Sequence, residues 1–218
     1  ARYPESACNF SVSDPNAKGV LVHYLLKLGR GISVEERFNL YNKKTRNQVR
    51  KSYLNNLRVE IGTPPKEFYD LYLVNMKRLK SIARDQSYFE RLQKFLGESV
   101  ICFSLFDGDV LVGCNYAALS QNYIILLLNL SRSEYWDRNI NDRMYDELIA
   151  WAIQHGIEFV DFGASVKRDK SHSHFKEGFG ASRRVIIDKK QINFFAQIRL
   201  FFAQKTRNFR LRFNKLMI

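Results

Sequence analysis

Three strand-like stretches in immediate succession constrain this chain more than any other feature. Residues 100–106, 110–119 and 123–130 are rich in β-branched and aromatic side chains. Asp107-Gly108-Asp109 joins the first two. An Asp-Gly pair supplies the positive φ of a tight hairpin, and this turn chemistry accounts for both aspartates better than a metal pair does. Residues 142–154 then carry an apolar helical face of Met144, Tyr145, Leu148, Ile149 and Trp151, stopped by Gly156 after His155. Residues 158–162 return to strand and residues 184–187 add another. Three antiparallel strands followed by a strand–helix–strand crossover predict an α/β sheet of mixed, mainly antiparallel direction, flanked by helices.

Upstream, residues 1–19 read as a loop-like leader with Pro4, Pro15 and Gly19. Residues 20–28 are apolar and fit either helix or strand. Ser33 opens a helix, and Glu36 three residues later completes a capping box. Val34, Phe38, Tyr41, Thr45, Val49 and Tyr53 recur every three or four residues, which predicts one buried face running through to residue 53. The other side carries Lys43, Lys44, Arg46, Arg50 and Lys51. That run fits a grip on phosphates as well as it fits a solvated basic face. Residues 58–61 read as a short strand. A helix over 66–80 turns Phe68, Leu71, Tyr72, Asn75, Met76 and Leu79 inward, and one over 87–96 does so with Phe89, Leu92 and Phe95 before Gly97 ends it.

The chemistry-bearing stretch is 157–182. Asp161 ends a buried strand, and in open α/β sheets sites lie beyond the carboxyl ends of strands. After Gly163 comes a polar loop, 164–173, whose Lys167, Arg168 and Lys170 can fold over a phosphate. Then follows Phe175-Lys176-Glu177-Gly178-Phe179-Gly180. A lysine among aromatics is partly desolvated and can present its charge to an oxyanion or phosphate, and the glycines admit a close backbone approach. The residues alone leave a second reading open, in which Lys176 is an exposed helix lysine before an ordinary glycine cap. His172 and His174 lack a third ligand at metal-binding spacing, and no GxSxG elbow accompanies the nearby serines. No metal site and no serine hydrolase is expected.

The net charge of +13 points to anionic partners. No CxxC pair is present among the three cysteines; Cys102 and Cys114 read as small buried hydrophobes, and a reduced, cytoplasmic setting is favoured. No apolar run approaches a membrane span, and no signal peptide is recognised. Residues 189–218 interleave apolar and aromatic residues with Lys and Arg, without one carboxylate after Asp188. This predicts a basic helical tail that meets a membrane surface, binds RNA or docks on another domain. The chain begins with Ala rather than Met, and is read as processed or excised from something longer.

Val160-Asp161-Phe162-Gly163 with Phe175-Lys176-Glu177-Gly178-Phe179-Gly180-Ala181 resembles the C-terminal half of FemAB-type proteins, within the GNAT-like acyltransferase superfamily. Residues 43–51, KKTRNQVRK, are similar to the family's arginine-rich helix, and residues 68–79, FYDLYLVNMKRL, to its FYxLYLxTMxRLG helix. The resemblance covers roughly 33–188. It implies a GNAT-like domain there, preceded by a leader or domain remnant over 1–32 with helical character and followed by the basic tail, 189–218. It implies transfer of an acyl or aminoacyl group from an anionic donor, aminoacyl-tRNA or acyl-CoA, to an amine, in characterised relatives that of a cell-wall precursor; a sugar precursor is the alternative acceptor. No permanently bound cofactor is implied. Lys176 would contact the donor and the developing oxyanion, with Asp161 placing the acceptor amine or taking its proton. Arg46, Arg50, Lys167, Arg168, Lys170, Phe175, Gly178, Phe179 and Gly180 would contact the donor or its phosphates. The chain reads as holding only the second of the family's two usual GNAT-like domains. It also lacks a proline near residue 142. CoA-dependent GNAT enzymes carry a glycine-rich diphosphate loop where this chain reads Tyr135-Trp136-Asp137-Arg138-Asn139-Ile140-Asn141, without glycine. Besides aminoacyl transfer, a CoA-dependent N-acetyltransferase and a non-catalytic module for RNA or membrane remain open.

Overall fold

A computed structural model describes residues 20–165 and 170–187. Residues 21–186 form one compact unit; the second, residues 1–20 with 187–218, lies almost wholly outside the described residues, as do Lys167, Arg168 and the basic tail. The chain runs β1 (Val20–Lys27), α1 (Val34–Asn39), α2 (Lys43–Tyr53), β2 (Arg58–Gly62), α3 (Phe68–Arg78), α4 (Gln86–Leu96), β3 (Val100–Asp107), β4 (Val110–Ser120), β5 (Tyr123–Ser131), α5 (Ile140–Gln154), β6 (Phe159–Ser165), α6 (Lys170–Gly178) and β7 (Ser182–Ile187). One seven-stranded sheet has the order β2-β3-β4-β5-β6-β1-β7. The β2 to β5 meander and the β1–β6 pair are antiparallel, and the α5 crossover makes β5 and β6 parallel. This is the mixed α/β architecture expected from the three strands and their crossover. Residues 20–27, left open between helix and strand by composition, enter the same sheet between β6 and β7.

Helices cover both faces. On one face, Tyr24, Leu26, Ile124, Val160 and Phe162 of the sheet pack with Tyr41, Val49, Tyr145, Leu148, Ile149 and Phe179. On the other, Phe68, Leu71, Tyr72 and Phe89 of α3 and α4 pack on Cys102, Cys114, Tyr116 and Leu130. Cys102 and Cys114 are fully buried, as their strand positions predict.

The single helix expected over 33–53 is two. Ser33 and Glu36 form the capping box of α1, and Asn42 starts α2 by accepting the Thr45 N–H at 2.8 Å. An asparagine side chain competes well for orphan helix N–H groups, so the chain turns there. The corner lets Tyr41 (3% exposed) and Tyr53 both donate to Asp146 of α5, at 3.0 and 2.8 Å. Two predicted inward residues face out: Phe95 is 87% exposed and Leu79 54%. Leu79 already lies beyond the last turn of α3, and α4 docks through Phe89, whose ring meets Phe68, Tyr72 and Tyr88 near its other end.

Asp142, in the first turn of α5, is buried, and its Oδ1 has no hydrogen-bond partner among the described residues. Burial pushes its carboxyl up to about 6. The folded state therefore binds the extra proton between the ordinary value of 3.8 and about 6, and stability falls as pH rises through that window. Asp142→Asn is expected to raise stability at pH 7.5 by roughly 1 kcal/mol and to be nearly neutral at pH 4. Urea unfolding at the two pH values measures this, and a loss at pH 7.5 contradicts it.

Candidate active site

The site forms where β6 meets its two neighbours differently. The parallel ladder between β5 and β6 pairs Tyr123, Ile124 and Ile125 with Phe159, Val160 and Asp161. The β4–β5 register skips Leu127, passing from Tyr116↔Leu128 to Ala117↔Leu126. The β1–β6 register also shifts, from Leu25↔Asp161 to His23↔Ala164, so Phe162 and Gly163 together oppose Tyr24. Such bulges bend a strand and re-aim its side chains. Gly163 sits in the β6 bulge with φ 72°, and a Cβ there would lie 3.2 Å from the Leu126 carbonyl. Only glycine meets both demands at low cost.

Asp161 precedes this bulge and is 8% exposed. Its Oδ1 accepts the Gly163 N–H at 2.7 Å, and His23 Nδ1 lies 3.1 Å from Oδ2 and 3.4 Å from Oδ1. From α6, Lys176 reaches the same bulge. It is 8% exposed, its Nζ donates to the Gly163 carbonyl at 3.0 Å, and it stands 5.2 Å from the centre of the Tyr24 ring. Burial pushes its amine down to about 8, with the Asp161 charge acting in the opposite sense. Lys176 is therefore not the exposed helix lysine of the alternative reading. Tyr24 also donates to Ser173 Oγ at 2.6 Å, tying α6 to β1. His23, Tyr24, Asp161, Ser173 and Lys176 thus converge on one bulge.

The loop expected over 164–173 already becomes helix at Lys170. The Tyr24–Ser173 bond and the burial of Lys176 and Phe179 supply tertiary contacts that a polar sequence alone does not announce. Phe175 and Phe179 lie on the core side of this helix. Phe179 is fully buried, with ring centres 5.0 Å from Tyr41, 5.6 Å from Tyr145 and 5.4 Å from Phe175. Gly178 lets α6 meet α2, since a Cβ there would stand 2.2 Å from Thr45 Oγ1, and its carbonyl accepts the Asn42 N–H at 2.9 Å. Gly180 faces the Arg37 guanidinium, which donates to the Phe179 carbonyl. These four residues hold α6 against α1, α2 and α5, and Lys176 alone of the motif enters the polar cluster.

The basic helix divides similarly. Arg46 caps the end of α1, donating to the carbonyls of Asn39 and Tyr41. Arg50 lies 5.3 Å over the Phe38 ring. Lys43, Lys44, Asn47, Gln48 and Lys51 line an open concavity of about 510 Å³. Among the described residues no cluster of three or more His, Cys, Asp or Glu could hold a metal ion, and no helix is long and apolar enough to cross a membrane.

Sequence reading missed His23, Tyr24, Ser173 and Arg37. His23 and Tyr24 sit in a short apolar stretch whose local pattern does not separate helix from strand, and their partners lie more than a hundred residues away. Arg37, buried at 6%, follows the capping box and carries no distinguishing local signal.

A family profile described as an acetyltransferase (GNAT) domain matches residues 43–177. No curated protein matches the chain. Among solved structures, FemX is similar with a TM-score of 0.66 at 16% identity, over 74% of this chain and 59% of that one. The L-PGS from Bacillus licheniformis gives 0.50 at 13% identity, over 77% and 61%. A tandem GNAT protein from the clavulanic acid biosynthesis pathway gives 0.52 at 10% identity, over 79% and 56%. The chain spans less than two thirds of each of these structures, and at such identities the likeness is one of fold.

Proposed function

The chain belongs to the acetyltransferase (GNAT) domain family, and from that premise we propose that it transfers an aminoacyl or acyl group from an activated donor to an amine, in the building of cell wall or polysaccharide. The observation that carries this reading is the buried Lys176 ammonium at the Gly163 bulge, next to Asp161. An amine attacking an ester or thioester carbonyl places negative charge on the carbonyl oxygen, and a preorganised cation in a dry site stabilises that charge as it forms. No covalent intermediate on the protein is required. Asp161, held by the Gly163 N–H and His23, belongs to the acceptor side of the site.

Aminoacyl-tRNA is the donor we favour, and acyl-CoA, the usual co-substrate of the GNAT fold, is the alternative. Two observations support the first. The turn before α5 has no glycine, Asn139 being left-handed there with φ 55°, and the first helical turn holds the buried Asp142 carboxylate, which repels a diphosphate. The α2 concavity offers three lysines and two side-chain amides to a phosphodiester backbone. The acceptor is an amine on a cell-wall or sugar precursor. Work at a cytoplasmic membrane surface, with 189–218 as contact, belongs to the same proposal.

A thermal-shift panel of acetyl-CoA, CoA and aminoacyl-tRNA, followed by transfer of labelled acyl group to a primary amine, tests the reading. Stabilisation by CoA alone sinks the tRNA donor. For the α2 surface, reversing Lys43, Lys44 and Lys51 to Glu is expected to lower the slope of log affinity for tRNA against log salt by roughly two. An unchanged slope removes this face from the donor site.

A further inference from the structure

Resting on the reading of this site as one that acylates an amine, we propose that His23 is the base that takes the proton of the attacking amine, with Asp161 as its positioning carboxylate. An amine that bonds to a carbonyl carbon must shed a proton. Lys176, a cation below about pH 8, cannot receive it. Asp161 is closed in: its Oδ1 accepts the Gly163 N–H, and both oxygens lie within 3.4 Å of His23 Nδ1. The His23 side chain is 23% exposed against 11% for that of Asp161, so the imidazole is the member of the pair that reaches incoming substrate. A carboxylate on Nδ1 keeps the proton there and leaves the Nε2 lone pair free to act, while stabilising the imidazolium that forms.

The placement fits two-sided attack. His23 and Leu25 alternate with the core residues Val22, Tyr24 and Leu26, so they lie on the sheet face away from α5 and α6. Asp161, opposite Leu25 and Ile125, shares that face. Ile125 is 39% exposed there, and α3 and α4 pack instead over β3, β4 and β5. Lys176 arrives from the other face and reaches the Gly163 carbonyl at the bulge. A donor carbonyl lying along β6 at the bulge has the ammonium on one side and the imidazole on the other. The bond from amine nitrogen to carbonyl carbon forms and the ester C–O or thioester C–S bond breaks. The amine proton passes to His23 Nε2 and then to the departing oxygen or sulfur, so charge balances without oxidant or metal.

The test uses the full chain. With ¹⁵N-labelled histidine, His23 is expected as the Nδ1–H tautomer, and Asp161→Asn removes that preference. Transfer is then followed from aminoacyl-tRNA and from acetyl-CoA to ethylamine and to hydroxylamine, which is neutral at pH 7. His23→Gln is expected to slow transfer to both acceptors roughly 10²-fold, since each nitrogen sheds a proton as it bonds to the carbonyl carbon. Added imidazole restores part of the loss in His23→Ala. Lys176→Met slows both acceptors alike. An Nε2–H tautomer in the wild-type chain, or unchanged transfer in His23→Gln, overturns the role of His23 while leaving acyl transfer standing. A wild-type chain that acylates neither acceptor overturns both.

Discussion

Lys176→Met is expected to fold normally and to lose acyl transfer by roughly 10²–10³-fold, the cost of removing one preorganised stabiliser of a developing oxyanion. The near-isosteric thioether keeps the packing against Tyr24 and removes the charge together with the hydrogen bond to the Gly163 carbonyl. The same lysine sets a pH dependence. In the proposed role its protonated form does the work, and burial holds its amine at about 8 in the fold against an ordinary 10.5. Turnover therefore falls as pH rises through about 8. Asp161→Asn removes the charge that favours the cation, so this alkaline limb moves to lower pH. Stability moves the other way. Between about 8 and 10.5 the unfolded chain binds the proton that the fold has released, so stability rises with pH across that window, by at most about 3 kcal/mol. Both trends vanish in Lys176→Met. A variant that retains full turnover, with an unchanged alkaline limb, removes Lys176 from the chemistry.

Phe179→Ala is expected to destabilise the fold by about 3–5 kcal/mol, since a fully buried ring among Tyr41, Tyr145, Phe162 and Phe175 leaves a cavity that four aromatic neighbours cannot fill. Phe95→Ala, at an 87% exposed position, changes stability by less than about 0.5 kcal/mol. Urea unfolding of the pair measures the contrast. Any folded Phe179→Ala is also expected to lose activity, because the ring anchors the helix that carries Lys176. A variant as stable as Phe95→Ala contradicts the packing account of the motif.

The sequence revealed what local pattern governs. Residues 100–131 are legible because β-branched and aromatic content and an Asp-Gly turn act over a few residues, and α5 because its apolar side repeats every turn. Lys176 was visible as a lysine between aromatics and glycines. Its neighbours were less so. His23 meets Asp161 across 138 positions, and nothing near residue 23 predicts that its strand inserts between β6 and β7. The break between α1 and α2 turned on the capping of one asparagine, a competition that periodicity does not weigh. Phe175, Gly178, Phe179 and Gly180 share a motif with Lys176, yet only three dimensions separate the residue in the polar cluster from those that dock its helix.

The insertion of β1 between β6 and β7 also bears on the order in which the chain can fold. Strands β2 to β5 follow one another along most of their half of the sheet, so they can assemble from neighbouring segments at little loop-closure cost. β1 has no such neighbour. It must wait for β6, separated from it by well over a hundred residues, and such non-local pairings are slow to form. The polar cluster then assembles late, because His23 and Tyr24 arrive only with β1. A late intermediate would hold a formed meander and an unpaired β6 edge, the kind of exposed strand that pairs with other chains when concentration is high.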